Sequence, residues 1–162
     1  MKNKFLLILT VSLITSTYSQ DSIVNYLDSK GHIVEKEYAT QIETIVKKDT
    51  LWQVTNYFGN GKVKKFWHFK NKDKKQPIGE FITYHRNGQV SSLLYYNNQG
   101  KKNGRCQKWF SNGQLNANGI YLNDKKEGAW KYYHYNGIEA SRLYYKNDSI
   151  LKAIIFDDEG KQ

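Results

Sequence analysis

The sequence holds a single cysteine, Cys106, so no internal disulfide can staple the chain even in an oxidising compartment. Stability must come from packing. No Pro/Ser-rich linker and no long run of charge divides the 162 residues, which makes one domain the default. Aliphatic residues supply less of the apolar content than is usual: the hydrophobic fraction is 39%, and 15% of the chain is Phe, Trp or Tyr. That balance excludes disorder by composition and favours pleated, half-buried surfaces, which aromatic and β-branched side chains fit best.

Long hydrophobic runs are missing too. Phe5 to Ile14 is apolar over ten residues, far short of the ~20 needed to span a bilayer as a helix. Lys2 and Lys4 precede it, and the small-residue site Thr17-Tyr18-Ser19 follows, so residues 1–19 read as a signal peptide cleaved between Ser19 and Gln20. No cysteine stands near that point for a lipid to be attached. The expectation is an exported protein, periplasmic or secreted, whose mature domain is residues 20–162. Loss of the two lysines lowers the formal charge from +10 to +8, which favours anionic partners such as lipid headgroups or acidic polysaccharide. Export argues against nucleic acid.

What the chain does have is self-similarity. Asn-Gly recurs at Asn60-Gly61, Asn87-Gly88, Asn112-Gly113 and Asn136-Gly137. Between strand-like segments this pair predicts a two-residue hairpin turn with both central residues at positive φ. Four residues before each glycine stand Tyr57, Tyr84, Trp109 and Tyr133; eight after it stand Phe69, Tyr96, Tyr121 and Tyr145. Seven before it stand Val54, Phe81, Cys106 and Trp130, and nine before it Trp52, Gly79, Gly104 and Gly128. The turn glycines are 27, 25 and 24 apart, and all of that drift lies in the connection between copies. Constant hairpins joined by an elastic loop are what a stacked array requires. Weaker copies flank the strong span 52–145, at about 22–39 around Gly31 and at 151–162 around Gly160, for about six hairpins in all.

The pattern Gly-x-aromatic-x3-aromatic-x2-Asn-Gly-x-aliphatic, closed by a paired aromatic, resembles the MORN-variant repeat of bacterial exported and antitoxin-labelled proteins. It is carried by Gly79 to Val90, Gly104 to Leu115 and Gly128 to Gly137, with Tyr95-Tyr96, Ile120-Tyr121 and Tyr144-Tyr145 closing the copies. Trp52 departs from it where glycine is expected, and Ile138-Glu139-Ala140 departs after the last strong turn. The resemblance implies protein or lipid partners. It also implies an alternative, a toxin-neutralising protein, against which the signal peptide counts because the usual pairing is intracellular.

The expected fold is all-β, an elongated single-layer antiparallel sheet of tandem MORN-like hairpins. Side chains alternate along a strand, so the residues four and seven before the turn fall on opposite faces unless a bulge re-aims the strand. Aromatics on both faces, stacking along the array, is the favoured arrangement. Lysines of the connections, Lys101, Lys102, Lys125 and Lys126 among them, then form a basic rim. Candidate partner-binding residues are Tyr84, Trp109, Tyr133, Tyr96, Tyr121, Tyr145 and those four lysines. Against them stands a plainer account, in which the aromatics are the core of a thin sheet and the lysines guard its edges. His85 and His134 share a repeat position but lie two repeats, roughly 20 Å, apart, too far to share a metal. No Ser-His-Asp, paired-carboxylate or metal-ligand constellation recurs, so neither catalysis nor a cofactor is expected.

Overall fold

The computed structural model describes residues 22–162; the signal segment and its cleavage point lie outside the described residues. Eleven strands follow one another: β1 Ser22–Leu27, β2 Gln41–Lys48, β3 Leu51–Phe58, β4 Val63–Phe69, β5 Pro77–Tyr84, β6 Val90–Tyr96, β7 Gly104–Trp109, β8 Leu115–Leu122, β9 Lys125–Tyr133, β10 Glu139–Lys146 and β11 Ser149–Ile155. Their order in the one sheet is their order in sequence, and neighbours pair antiparallel. Apart from a 3-10 turn at Lys36–Tyr38, no helix interrupts the described residues, and none is long and apolar enough to cross a membrane.

The Asn-Gly sites are the turns β3–β4, β5–β6, β7–β8 and β9–β10, but not of the expected type. Only the glycines have positive φ: 79°, 95°, 86° and 88°. In the second, Gly88 N–H donates to the His85 carbonyl at 2.9 Å and His85 N–H to the Gln89 carbonyl at 2.8 Å. That is a three-residue loop closed by a left-handed glycine, and the other three repeat it. Two-residue turns with both residues left-handed occur on the opposite margin, at Asn123-Asp124 (φ 50° and 73°) and Asn147-Asp148 (φ 50° and 69°).

Each strong hairpin carries one extra residue on its returning strand. Asn56 pairs with Lys65 and Tyr57 with Val63, leaving Lys64 out, and Ser91, Asn116 and Ala140 are its counterparts. A second irregularity falls where copies begin. Trp67 pairs with Phe81 but His68 with Ile78, so Gly79 and Glu80 bulge; Gly79 has φ 71°, and Gly104 and Gly128 have φ 110° and 68°. Trp52 stands in a strand whose pairing with β2 is unbroken, so this copy needs no glycine there. Bulges of this kind add local twist to the strands that carry them.

Because the turn-side bulge lies on the returning strand, alternation in the leading strand is intact. Val54, Phe81, Cys106 and Trp130 point to one face and Tyr57, Tyr84, Trp109 and Tyr133 to the other. The first is the core: among the described residues all seven buried hydrophobics, Leu27, Ile45, Val54, Phe69, Cys106, Ala117 and Trp130, lie on it. Like aromatics of successive copies do not stack, since an intervening strand separates them. On the buried face ring contacts run between neighbouring strands, as at Trp67–Phe81 (5.4 Å), Phe81–Tyr96 (6.2 Å) and Tyr121–Trp130 (5.0 Å), while Phe110–Tyr135 at 5.1 Å joins two successive turns.

The ends depart from six full hairpins. Gly31 closes a turn of the Asn-Gly kind, yet β1 pairs with β2, a strand outside the expected repeat at 22–39. Gly160 closes another such turn after β11. The described residues thus make five hairpins and an eleventh strand.

Candidate interaction surface

The ten residues singled out by the repeat do not share one surface. Tyr96, Tyr121 and Tyr145 belong to the buried face, and Lys102 and Lys126 fold over it. Lys126 N–H donates to Asp148 Oδ1 at 2.6 Å, and Lys102 N–H to Asp124 Oδ1 at 2.8 Å, which fixes both backbones at the margin. From there Lys102 Nζ lies 5.2 Å from the Tyr121 ring centre. Lys126 Nζ lies 4.7 Å from Trp130, 4.8 Å from Tyr145 and 5.5 Å from Tyr132, and donates to Tyr132 Oη at 2.8 Å. Burial pushes the Tyr121 and Tyr132 hydroxyls above the ordinary tyrosine range. Burial opposes the charge on Lys126, but its bond to Tyr132 and the attraction of Tyr132 and Tyr145 outweigh it, and the ammonium is held above its ordinary range. Lys101 and Lys125 are the two that stay exposed at the margin.

At the other end the loop 70–76 does the covering. Lys72 Nζ sits 5.8 Å from the Trp52 ring, and Lys74 Nζ is 2.7 Å from Glu43 Oε1. Glu43 is buried yet satisfied, with Asn25 Nδ2 at 3.0 Å and Asn56 Nδ2 at 3.5 Å as further donors. Lysine stems therefore supply the lid that a second layer would provide in a sandwich. Cys106 is buried on this same face; burial pushes its thiol up, away from the reactive thiolate.

Tyr84, Trp109 and Tyr133 remain on the open face, half-buried. Trp109 walls a groove of about 420 Å³ with Ile82, Val90, Leu93 and Gln89. Next to it a second groove, about 340 Å³, is lined by Arg105, Gln107, Asn118, Ile120, Ala129 and Lys131. Both grooves use β7, one through Trp109 and the other through Arg105 and Gln107. Lys131 is 3.5 Å from Glu139, which also binds Arg142 at 2.8 Å; the Arg142 side chain holds the Glu139 carboxyl below its ordinary range.

His85 Nε2 donates to the Trp109 carbonyl at 2.9 Å, tying one turn to the next copy, whereas His134 Nε2 is buried and finds no partner among the described residues. Among the described residues no group of three His, Cys, Asp or Glu side chains is placed to hold a metal. The second groove was not legible from the repeat, because Arg105, Gln107 and Asn118 recur at no equivalent position. Alternation outward from the Cys106 series is the signal that would have found it.

No protein-family model matches the sequence, and no curated protein matches it. Among solved structures, the chain is similar to a mutant of S. aureus TarM in complex with Fondaparinux, alpha-GlcNAc-glycerol and UDP, at 14% identity and a TM-score of 0.40. The likeness covers 67% of this chain and 21% of that one, so this chain spans about a fifth of its length, and it carries no argument about function.

Proposed function

We propose that this is an exported, MORN-like hairpin-repeat protein without catalytic activity, which binds a protein or an anionic envelope component, a lipid headgroup or polysaccharide, through one face of its sheet. The carrying observation is the difference between the two faces. One is closed by the protein's own Lys102, Lys126 and loop 70–76, while the other leaves Tyr84, Trp109 and Tyr133 half-exposed beside two grooves. Aromatic side chains with polar neighbours in a concave setting are the usual material of recognition surfaces. Exposed Lys101 and Lys125 add the basic rim that draws an anionic partner.

The test is capture from an envelope fraction, and sedimentation with anionic vesicles, by mature protein and by the Tyr84→Ala/Trp109→Ala/Tyr133→Ala variant. A second variant, Tyr121→Phe/Tyr145→Phe, alters the closed face. The open-face variant, shown folded by circular dichroism, is expected to lose capture and the closed-face variant to keep it. Equal capture by all three proteins would sink the proposal.

A further inference from the structure

We infer that the two open-face grooves take one ligand, an extended acidic segment of a partner protein, with an apolar side chain seated against Trp109 and a carboxylate held by Arg105. This rests on the open-face reading and names its partner. Arg105, Gln107 and Trp109 are alternate residues of β7, so they leave the same face at intervals of about 7 Å, and Arg105 stands ~13 Å from Trp109.

The two ends of that span differ in chemistry. Around Trp109 the walls are Ile82, Val90 and Leu93, with Gln89 the one polar side chain. Aliphatic walls suit a Leu, Ile or Phe side chain. A sugar needs an open aromatic plane ringed by hydrogen-bond partners, which this groove lacks. Arg105 is exposed and, among the described residues, forms no ion pair with a carboxylate, whereas Lys131 in the same groove is paired with Glu139. Its guanidinium presents the fork that grips a carboxylate through two parallel bonds. Gln107 and Asn118 line the space with side-chain amides, which can both donate to and accept from a peptide backbone. The mature chain's formal charge, +10 less the two lysines of residues 1–19, favours an acidic partner before contact is made. The recognised pattern is therefore an apolar residue and an Asp or Glu four positions apart in an extended chain.

The experiment is fluorescence anisotropy with the full mature chain and labelled nonapeptides. These carry Leu and Glu in a Gly/Ser/Thr host, separated by two, four or six positions. The four-position peptide is expected to bind about tenfold more tightly than the other two. Changing its Glu to Gln, or Arg105→Gln in the protein, each removes that advantage, and the two together cost no more than either alone. Arg105→Glu, an exposed change that leaves the core untouched, transfers the preference to the peptide with Lys in place of Glu. Equal binding at all spacings, or an Arg105→Glu protein that still prefers Glu, overturns the inference. Preference for a polyuronate oligosaccharide over every peptide, abolished by Trp109→Ala, also overturns it but leaves the open face as the binding surface. Envelope capture unaffected by the triple alanine variant would sink both.

Discussion

Two glycines of the sheet are there for different reasons, and substitution separates them. Gly119 sits beneath Trp130: a Cβ there would lie 2.2 Å from Trp130 Cδ2, and the indole is pinned because its Nε1 donates to the Ile120 carbonyl at 3.0 Å. Gly79 has nothing within 4 Å of where its Cβ would be, but its φ is 71°. Gly119→Ala therefore overpacks the core and is expected to cost about 3 kcal/mol. Gly79→Ala bears only the left-handed backbone, about 1 kcal/mol, part of which Gly79→Asn recovers. Urea midpoints check this, and a Gly119→Ala cost no greater than that of Gly79→Ala would remove Trp130 as the reason. Gly79 was legible in sequence because Gly104 and Gly128 repeat it. Gly119 was not, because its series reads Trp67, Leu94, Gly119, Leu143, and the compensation lies in another series, where Trp130 follows the small Cys106.

Strand turns were located correctly from Asn-Gly, yet the asparagine has a role that turn chemistry alone does not reveal. In each strong turn its Oδ1 accepts the N–H two residues on, as at Gln114 N–H to Asn112 Oδ1, 3.1 Å. Its Nδ2 then reaches the neighbouring copy: Asn87 donates to the Ser111 carbonyl at 2.8 Å, Asn112 to the Tyr135 carbonyl at 3.1 Å and Asn136 to the Asp158 carbonyl at 3.3 Å. For Asn60 no such bond forms among the described residues, and Lys62 Nζ makes the link to the Asn87 carbonyl instead, at 2.9 Å. These bonds join turns that a single hairpin cannot sense, which is why local sequence did not disclose them. Asn112→Asp keeps the acceptor inside its turn but loses the donor and faces a carbonyl with a carboxylate. It is expected to destabilise by about 1 kcal/mol, whereas Asn60→Asp is nearly neutral. Thermal melts of the two variants suffice, and equal midpoints would show that the ladder contributes nothing.

Among the described residues every strand pairs only with its sequence neighbours, so stability is close to a sum over hairpins and their junctions. The fold was legible for that reason: a period repeated four times overrides ambiguity in any one copy. Which face is closed was not legible, because it depends on Lys102 and Lys126 turning inward while Lys101 and Lys125 do not. A summed architecture still restricts which copies can be neighbours. Removing residues 79–103 takes out β6 and all of β5 but Pro77 and Ile78, and sets Cys106 beside Trp67, a small side chain against a large one, with Gly104 supplying the bulge in place of Gly79. This protein is expected to unfold cooperatively with an m-value lower by roughly one-sixth, and to lose the apolar groove with Ile82, Val90 and Leu93. Removing residues 104–127 deletes as much sheet, but it places Trp130 against Leu94 where Gly119 had left room. That second deletion is expected to unfold without a cooperative transition, and to regain one when Leu94→Gly is added. Two deletions of equal cooperativity would mean that junctions between copies are interchangeable, and that the volume matching along the buried face does not determine their order.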